Sequence, residues 1–357
     1  MFSILYRNRL YKYLIFKFFS KKLKLANEDV NQYYLFFKEI YPFQKYKTYL
    51  FSEKINTEFN KFVDSGELEY LIKFTKGVII EPKFGYALNF QNEILLFSLP
   101  YGGALQSQIP HYIFYKRKKI IKLKKAISIF YNWFNYWHFH NDVLGQLYLL
   151  EKENISPSIP ILIPSKALEL SYVQYFFKTT YAQKWSWIYQ HSNEYYKVDE
   201  VYFAKSIPNI SLHFIFSRNI FHENAVFNIF KNRKIFLTRS ESRGRCILNM
   251  TELTPVIQKF GFQIVDADVL GYEDQIRLFS EALVICGPHG AGLTNMLFRS
   301  SQECTIIELF PEDYISVHYY WLANEFGFKY YAAYGSIQKN NAFSFSSVVL
   351  RDLLSKV

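Results

Sequence analysis

The chain has 357 residues, half of them hydrophobic and a fifth charged, with 36 Phe, 30 Tyr and a formal net charge of +11. That length holds two ordinary domains in a globular balance. Three scattered cysteines without a CxxC pair exclude a disulfide framework and a structural zinc site, and no apolar run approaches the roughly 20 residues of a membrane span.

Two segments concentrate the basic residues: 1–25, where seven Lys/Arg mix with Phe, Leu and Tyr, and 116–125 (KRKKIIKLKK). The first lacks the apolar core and cleavage site of a signal peptide. It reads as an amphipathic stretch, packed on the body of the protein or lying on an anionic membrane surface. Excess positive charge favours anionic partners. No nucleic-acid motif accompanies it, so a nucleic-acid partner is not expected.

In chain order, 68–80 and 93–99 read as strands, with Tyr101, Gly102 and Gly103 as a turn. One helix, or two in succession, is predicted over 118–150. A short buried strand at 159–163, a helix near 166–177 and a strand at 200–204 follow. Beyond that, apolar runs alternate with amphipathic ones at short spacing. Strands are predicted at 234–237, 263–265, 282–286, 305–309 and, last, 329–332. Helices are predicted at 251–260, capped by Thr251 and followed by Gly261, and at 273–280, 291–298 and 317–326. Near-continuous apolar strands between helices indicate a parallel sheet covered on both faces. Ligands of such a doubly wound sheet bind beyond the carboxyl ends of its strands.

Several polar groups fall at that edge. Cys286 to Asn295 (CGPHGAGLTN) leaves a buried strand and opens a helix. Gly290 and Gly292 let the backbone approach a ligand, Ala291 begins the helix, and His289 can donate to a phosphate oxygen. On spacing alone, a tight packing turn explains the loop equally well. Glu308, at the end of the next strand, is sited to accept from ribose hydroxyls, or is simply a solvated strand end. Arg239, Arg243 and Arg245 follow strand 234–237. Guanidinium groups there hold a diphosphate bidentately or form a surface cluster. Asn135, His138 and Asp142, at steps of three and four, share a helix face. A His and a carboxylate so placed suit proton transfer, and a polar helix stripe suits the same spacing.

Together these residues resemble glycosyltransferase family 61. The similarity is strongest from the arginine loop through Asn249 and Gln275 to HGAGLTN and IIELFP; NYWHFHND is similar to that family's N-x-x-H-x-x-x-D element. The resemblance implies an α/β GT-B architecture, two Rossmann-like domains facing a central cleft, here 1–205 on the acceptor side and 206–357 binding the nucleotide sugar. It implies an inverting hexosyl- or pentosyltransferase without the DxD metal element; Asp266-Ala267-Asp268 has the letters but falls in a turn. No cofactor or metal is expected, only a nucleotide-diphosphate sugar as co-substrate.

By this resemblance Asp142 or His138 is the base, supported by Asn135, and Asn249 supports the arginine loop. Arg239, Arg245, His289, Gly290, Ala291 and Gly292 hold the diphosphate, Gln275 and Asn295 shape the nucleotide pocket, and Glu308 holds the ribose. The arginine loop is two residues longer than the family arrangement. Arg245 is preferred to Arg243 because it keeps the four-residue step to Asn249. The acceptor is expected to be a glycan or lipid-linked glycan in bacterial capsule, lipopolysaccharide or exopolysaccharide synthesis. The expected setting is cytoplasmic, extending to peripheral contact with the inner face of the plasma membrane. The rivals are a pyruvyltransferase-like enzyme on the same plan and a catalytically inactive, membrane-peripheral nucleotide-binding protein.

Overall fold

A computed structural model describes residues 20–22, 24–26, 28–40, 51–63, 66–82, 84–99, 108–110, 119–129, 133–206, 211–223, 232–299, 303–338 and 341–357. The basic segment up to residue 19, the turn at 101–103 and Lys116 to Lys118 lie outside them.

The first half contributes β1 (Ser20–Lys22), β2 (Leu25–Ala26), β3 (Tyr34–Ile40), β4 (Glu67–Phe74), β5 (Val78–Ile80) and β6 (Ala87–Leu88). It continues with β7 (Ile94–Leu95), β8 (Gln108–Pro110), β9 (Lys119–Ser128), β10 (Ile161–Pro164), β11 (Trp187–Gln190) and β12 (Glu194–Lys205). Ten of these form one sheet, ordered β11-β10-β9-β12-β5-β6-β7-β2, with β4 on β12 and β3 on β4. Its β11, β10, β9 and β12 are mutually parallel, whereas β4 and β5 meet β12 antiparallel. The N-terminal half is therefore only partly Rossmann-like.

The helix expected from 118 is corrected here: β9 occupies 119–128, at the middle of the sheet. Its lysines reach carboxylates on the neighbouring strand, Lys119 to Glu194 and Lys125 to Glu200, each at 3.0 Å. Such cross-strand ion pairs let a lysine-rich segment run as a strand.

The second half forms β13 (Arg233–Leu237), β14 (Gln263–Val265), β15 (Ala282–Pro288), β16 (Thr305–Pro311), β17 (Lys329–Ile337) and β18 (Phe343–Ser344). The sheet order is β14-β13-β15-β16-β17-β18, parallel throughout except for β18. The predicted strands all appear, but 329–332 is not the last: β17 runs on to Ile337, and β18 and a helix at Ser347–Leu354 follow. The helix over 250–259 begins one residue before Thr251, so Asn249 and not Thr251 holds the cap position. Gly261 takes the left-handed conformation, φ 77°, that ends this helix.

The largest apolar cluster joins both sheets: Leu144, Ile163 and Phe221 belong to it with Ile285, Leu297 and Ile306. Full burial of one such side chain is worth about 1.5–3 kcal/mol, so this cluster fixes how the halves lie together. A second tie is the helix Glu53–Asn60, capped by Ser52. It buries Ile55 and Phe59 against Phe310, Val317, Tyr320 and Trp321 of the C-terminal half.

Candidate active site

The C-terminal sheet changes direction between β13 and β15: the chain moves to β14 on one side and then to β15 on the other. Such a switch point opens a crevice at the strand ends. Arg239 follows β13 there, and His289 and Gly290 follow β15.

Arg239 is held in place by its own loop: its Nε donates to the Gly244 carbonyl at 2.6 Å and its Nη2 to that of Arg243 at 3.0 Å. The remaining Nη1 lies against Gly290, where a Cβ would sit 2.1 Å from it. A side chain at 290 would take the space of the guanidinium and force it to shift. Gly287 is needed for a parallel reason, since its Cβ would come within 2.6 Å of the Leu237 Cβ. Ala291–Phe298 is a 3-10 helix, not the α-helix expected. Its first bond runs from the Leu293 N–H to the Gly290 carbonyl at 3.0 Å. The N–H groups of Ala291 and Gly292 therefore precede any intrahelical partner and are available to an anion.

Arg243 pairs with Asp268 at 2.9 Å. Arg245, at a left-handed φ of 57°, stands over the Tyr314 ring at 4.8 Å. That ring in turn lies 5.3 Å from His289. Burial, and the charges of Arg245 and Arg243, make protonation of Arg239 less favourable than for an ordinary arginine. A bound anion relieves that repulsion. Gly290→Ala pushes the guanidinium out of this position, and a displacement near 1 Å costs on the order of a hundredfold in kcat/KM. Donor titration and steady-state kinetics on a variant of unchanged melting temperature check this expectation.

His289 is nearly buried, and its Nδ1–H donates to a carboxylate oxygen of fully buried Glu308. The other oxygen of Glu308 accepts from the Tyr330 hydroxyl. The ribose role expected for Glu308 does not fit this geometry: the side chain has no exposed surface and both oxygens are engaged. Its position follows from register, with Glu308 of β16 beside Gly287 of β15. A carboxylate on Nδ1 fixes the tautomer and leaves Nε2 to act.

A second pair of the same kind comes from the N-terminal half. Asn135 caps a helical turn, Tyr136–His138, accepting from the His138 N–H at 3.3 Å. A π turn, Phe139–Val143, follows and leads into the helix Leu144–Lys152. Such π turns recur at functional sites. Here His138 Nδ1 and Asp142 Oδ2 lie 2.8 Å apart; His138 keeps 37% of its side-chain surface and Asp142 10%. Asn141 donates to the other Asp142 oxygen at 2.7 Å.

Gln275 and Asn295 are committed to internal bonds. Asn295 is fully buried, accepts from Tyr136 at 2.6 Å and donates to Gln275 at 3.2 Å. Gln275 donates to the carbonyls of Ala267 and Leu270 at 2.8 and 3.2 Å. They brace the glycine loop against the helical segment that carries His138. His140 joins the same network through Ser217 at 2.8 Å and Tyr272 at 3.1 Å. Burial, with the nearby His213, holds its pKa down at about 3, so it is neutral. Asn249 secures the arginine loop's exit: its amide donates to the Phe345 carbonyl at 2.9 Å and accepts from the Phe345 N–H at 3.0 Å.

The sequence reading missed His318. It opens the helix His318–Glu325, with Trp137 5.9 Å away. Tyr319 beside it lies 5.0 Å from Trp137 and 5.3 Å from His289. Its place a few residues beyond the end of β16, at the ligand edge of the sheet, was the available signal. Asn141 Oδ1, Ser206 Oγ, His213 Nε2 and His318 Nδ1 are buried with no hydrogen-bond partner among the described residues. Among those residues no group of three or more His, Cys, Asp or Glu is arranged to hold a metal ion, and no helix is long and apolar enough to cross a membrane.

A parallel sheet with helices between its strands and arginines at its switch point defines an α/β protein with a cationic crevice. Residues 136–307, just under half the chain, match the family model described as Glycosyltransferase 61. This segment is similar to that family, and the activity the match supports is glycosyl transfer. No curated protein matches the chain. Among solved structures it is similar to TibC from enterotoxigenic E. coli H10407, a bacterial iron-containing dodecameric glycosyltransferase. The identity is 10% and the TM-score 0.34, over 64% of this chain and 68% of that one.

Proposed function

We propose that the chain is an inverting glycosyltransferase that moves a hexosyl or pentosyl group from a nucleotide-diphosphate sugar to a glycan or glycolipid acceptor. The observation that carries this reading is the pair of carboxylate–imidazole dyads, His138–Asp142 from one half and His289–Glu308 from the other. Single displacement needs such a division: a base at the attacking hydroxyl and a cation at the departing phosphate.

In the proposed step the acceptor hydroxyl gives its proton to His138 Nε2, while Asp142 holds the Nδ1–H. The hydroxyl oxygen bonds to the anomeric carbon as the bond from that carbon to the diphosphate oxygen breaks. The bonding pair leaves with the diphosphate, whose charge is met by Arg239, Arg245, the imidazolium of His289 and the N–H groups of Ala291 and Gly292. Glu308 acts through His289. Gln275, Asn295, Asn135 and Asn249 hold these groups in place. We place the acceptor side in 1–205 and the donor side in 206–357, as a GT-B arrangement. With cations already at the diphosphate, the reaction needs no metal. Bacterial surface-polysaccharide assembly at the inner face of the plasma membrane suits the basic charge of the chain.

A thermal-shift screen of nucleoside diphosphates and nucleotide sugars, with and without EDTA, tests the reading. One nucleotide family is expected to raise the melting temperature equally in both conditions. A shift that appears only with added Mn²⁺ removes the metal-free step, and no shift with any donor removes the donor site.

A further inference from the structure

We infer that His318 is a specificity residue that binds a hydroxyl of the transferred sugar, between the two dyads. The inference rests on the transferase reading above and adds where the sugar ring lies.

Three features carry it. The first is position. Trp137, next to His138, packs on both His318 and Tyr319 at 5.9 and 5.0 Å, and Tyr319 packs on His289 at 5.3 Å. The start of this one helix thus spans the interval between the proposed base and the proposed leaving-group cation. In a single displacement the sugar ring occupies that interval, because the anomeric carbon stands in line between the attacking and departing oxygens.

The second feature is the unmet hydrogen bonding. His318 Nδ1 is buried and finds no partner among the described residues, whereas the Nδ1 of His138 and of His289 each meets a carboxylate. A buried polar atom without a partner is costly, and part of the His318 residue remains exposed. Rotation of the ring about its last bond carries a nitrogen from the buried side to the open one, where a ligand hydroxyl satisfies it.

The third is charge. Burial, reinforced by His289 and His138 and opposed by Asp142, lowers the His318 pKa to about 4. His318 is therefore a neutral imidazole at physiological pH, able to donate to or accept from a hydroxyl without competing for the diphosphate.

The test compares His318→Phe and His318→Asn with the wild type. For each protein, affinity is measured for the nucleoside diphosphate found in the screen and for the matching nucleotide sugar. In His318→Phe, which keeps the ring and loses the nitrogens, the diphosphate is expected to bind as before. The advantage of the nucleotide sugar over it should fall about tenfold, the size of one lost hydrogen bond. His318→Asn should recover part of that advantage. Equal ratios in all three proteins overturn the inference while leaving the donor site intact. Weaker binding of the diphosphate itself in a folded variant also overturns it, since His318 would then serve the phosphates. Should His318→Phe not fold, the ratio for His318→Asn and His318→Ala decides: Ala below Asn supports the assignment, and the two equal to wild type overturn it. Absence of any wild-type shift removes the parent reading and this one with it.

Discussion

Asp142→Asn is expected to lower kcat by a thousand- to ten-thousand-fold while leaving donor binding nearly unchanged. The size follows from what the carboxylate does for its partner. With Asp142 Oδ2 at 2.8 Å, the His138 proton is fixed on Nδ1 and the lone pair of Nε2 is left for the acceptor of the proposed step. An amide at 142 presents an N–H to Nδ1, reverses the tautomer and leaves Nε2 protonated, unable to take the hydroxyl proton. Loss of tautomer control of this kind costs about 10⁴ in a His–Asp pair. His138→Ala should cost as much, and the double variant little more, because the two residues act as one unit. Donor binding is spared because the groups proposed to hold the donor stand on the other sheet, beyond β13 and β15. The paired measurement is single-turnover transfer with donor-induced thermal stabilisation. Wild-type turnover in Asp142→Asn removes the dyad from the mechanism; lost stabilisation shows that Asp142 serves the donor instead.

The sequence disclosed this dyad and concealed the other, for a physical reason. Four residues along a helix is a local distance, so the shared face of His138 and Asp142 follows from helical geometry alone, and it survives the π turn between them. His289 and Glu308 lie nineteen residues apart. Their pairing depends on which residue of β16 stands beside which residue of β15, and strand register is a property of the folded sheet. What could be read was that both sit near the same sheet edge; β16 runs on to Pro311, so Glu308 stands inside its strand and not at its end, and its pairing with His289 could not be seen. Arg239 and Gly290 repeat the lesson: each was visible, but their contact across fifty residues was not. The C-terminal strands were legible because buried parallel strands are short, mostly apolar runs, as in ALVIC. In β9 the lysines concealed the strand, since the glutamates that accept them lie some 75 residues further on.

Glu308→Gln is expected to lower kcat by a hundred- to a thousand-fold, the usual cost of one group lost from the stabilisation of developing charge. The carboxylate is fully buried between His289 and Tyr330. A glutamine there keeps the shape and removes the negative charge that supports a cationic His289 in the proposed step. The departing diphosphate then loses the help of that cation. Tyr330→Phe, which keeps the charge and removes one bond to it, should cost no more than about tenfold. The diagnostic is the dependence on the leaving group. A donor analogue that departs as a weakly basic phenolate needs little cationic help, so Glu308→Gln should lose far less with it than with the nucleotide sugar. Asp142→Asn, whose defect lies at the acceptor, should lose equally with both. If the two variants respond alike to the leaving group, the division of labour between the halves is wrong and both dyads serve one end of the reaction.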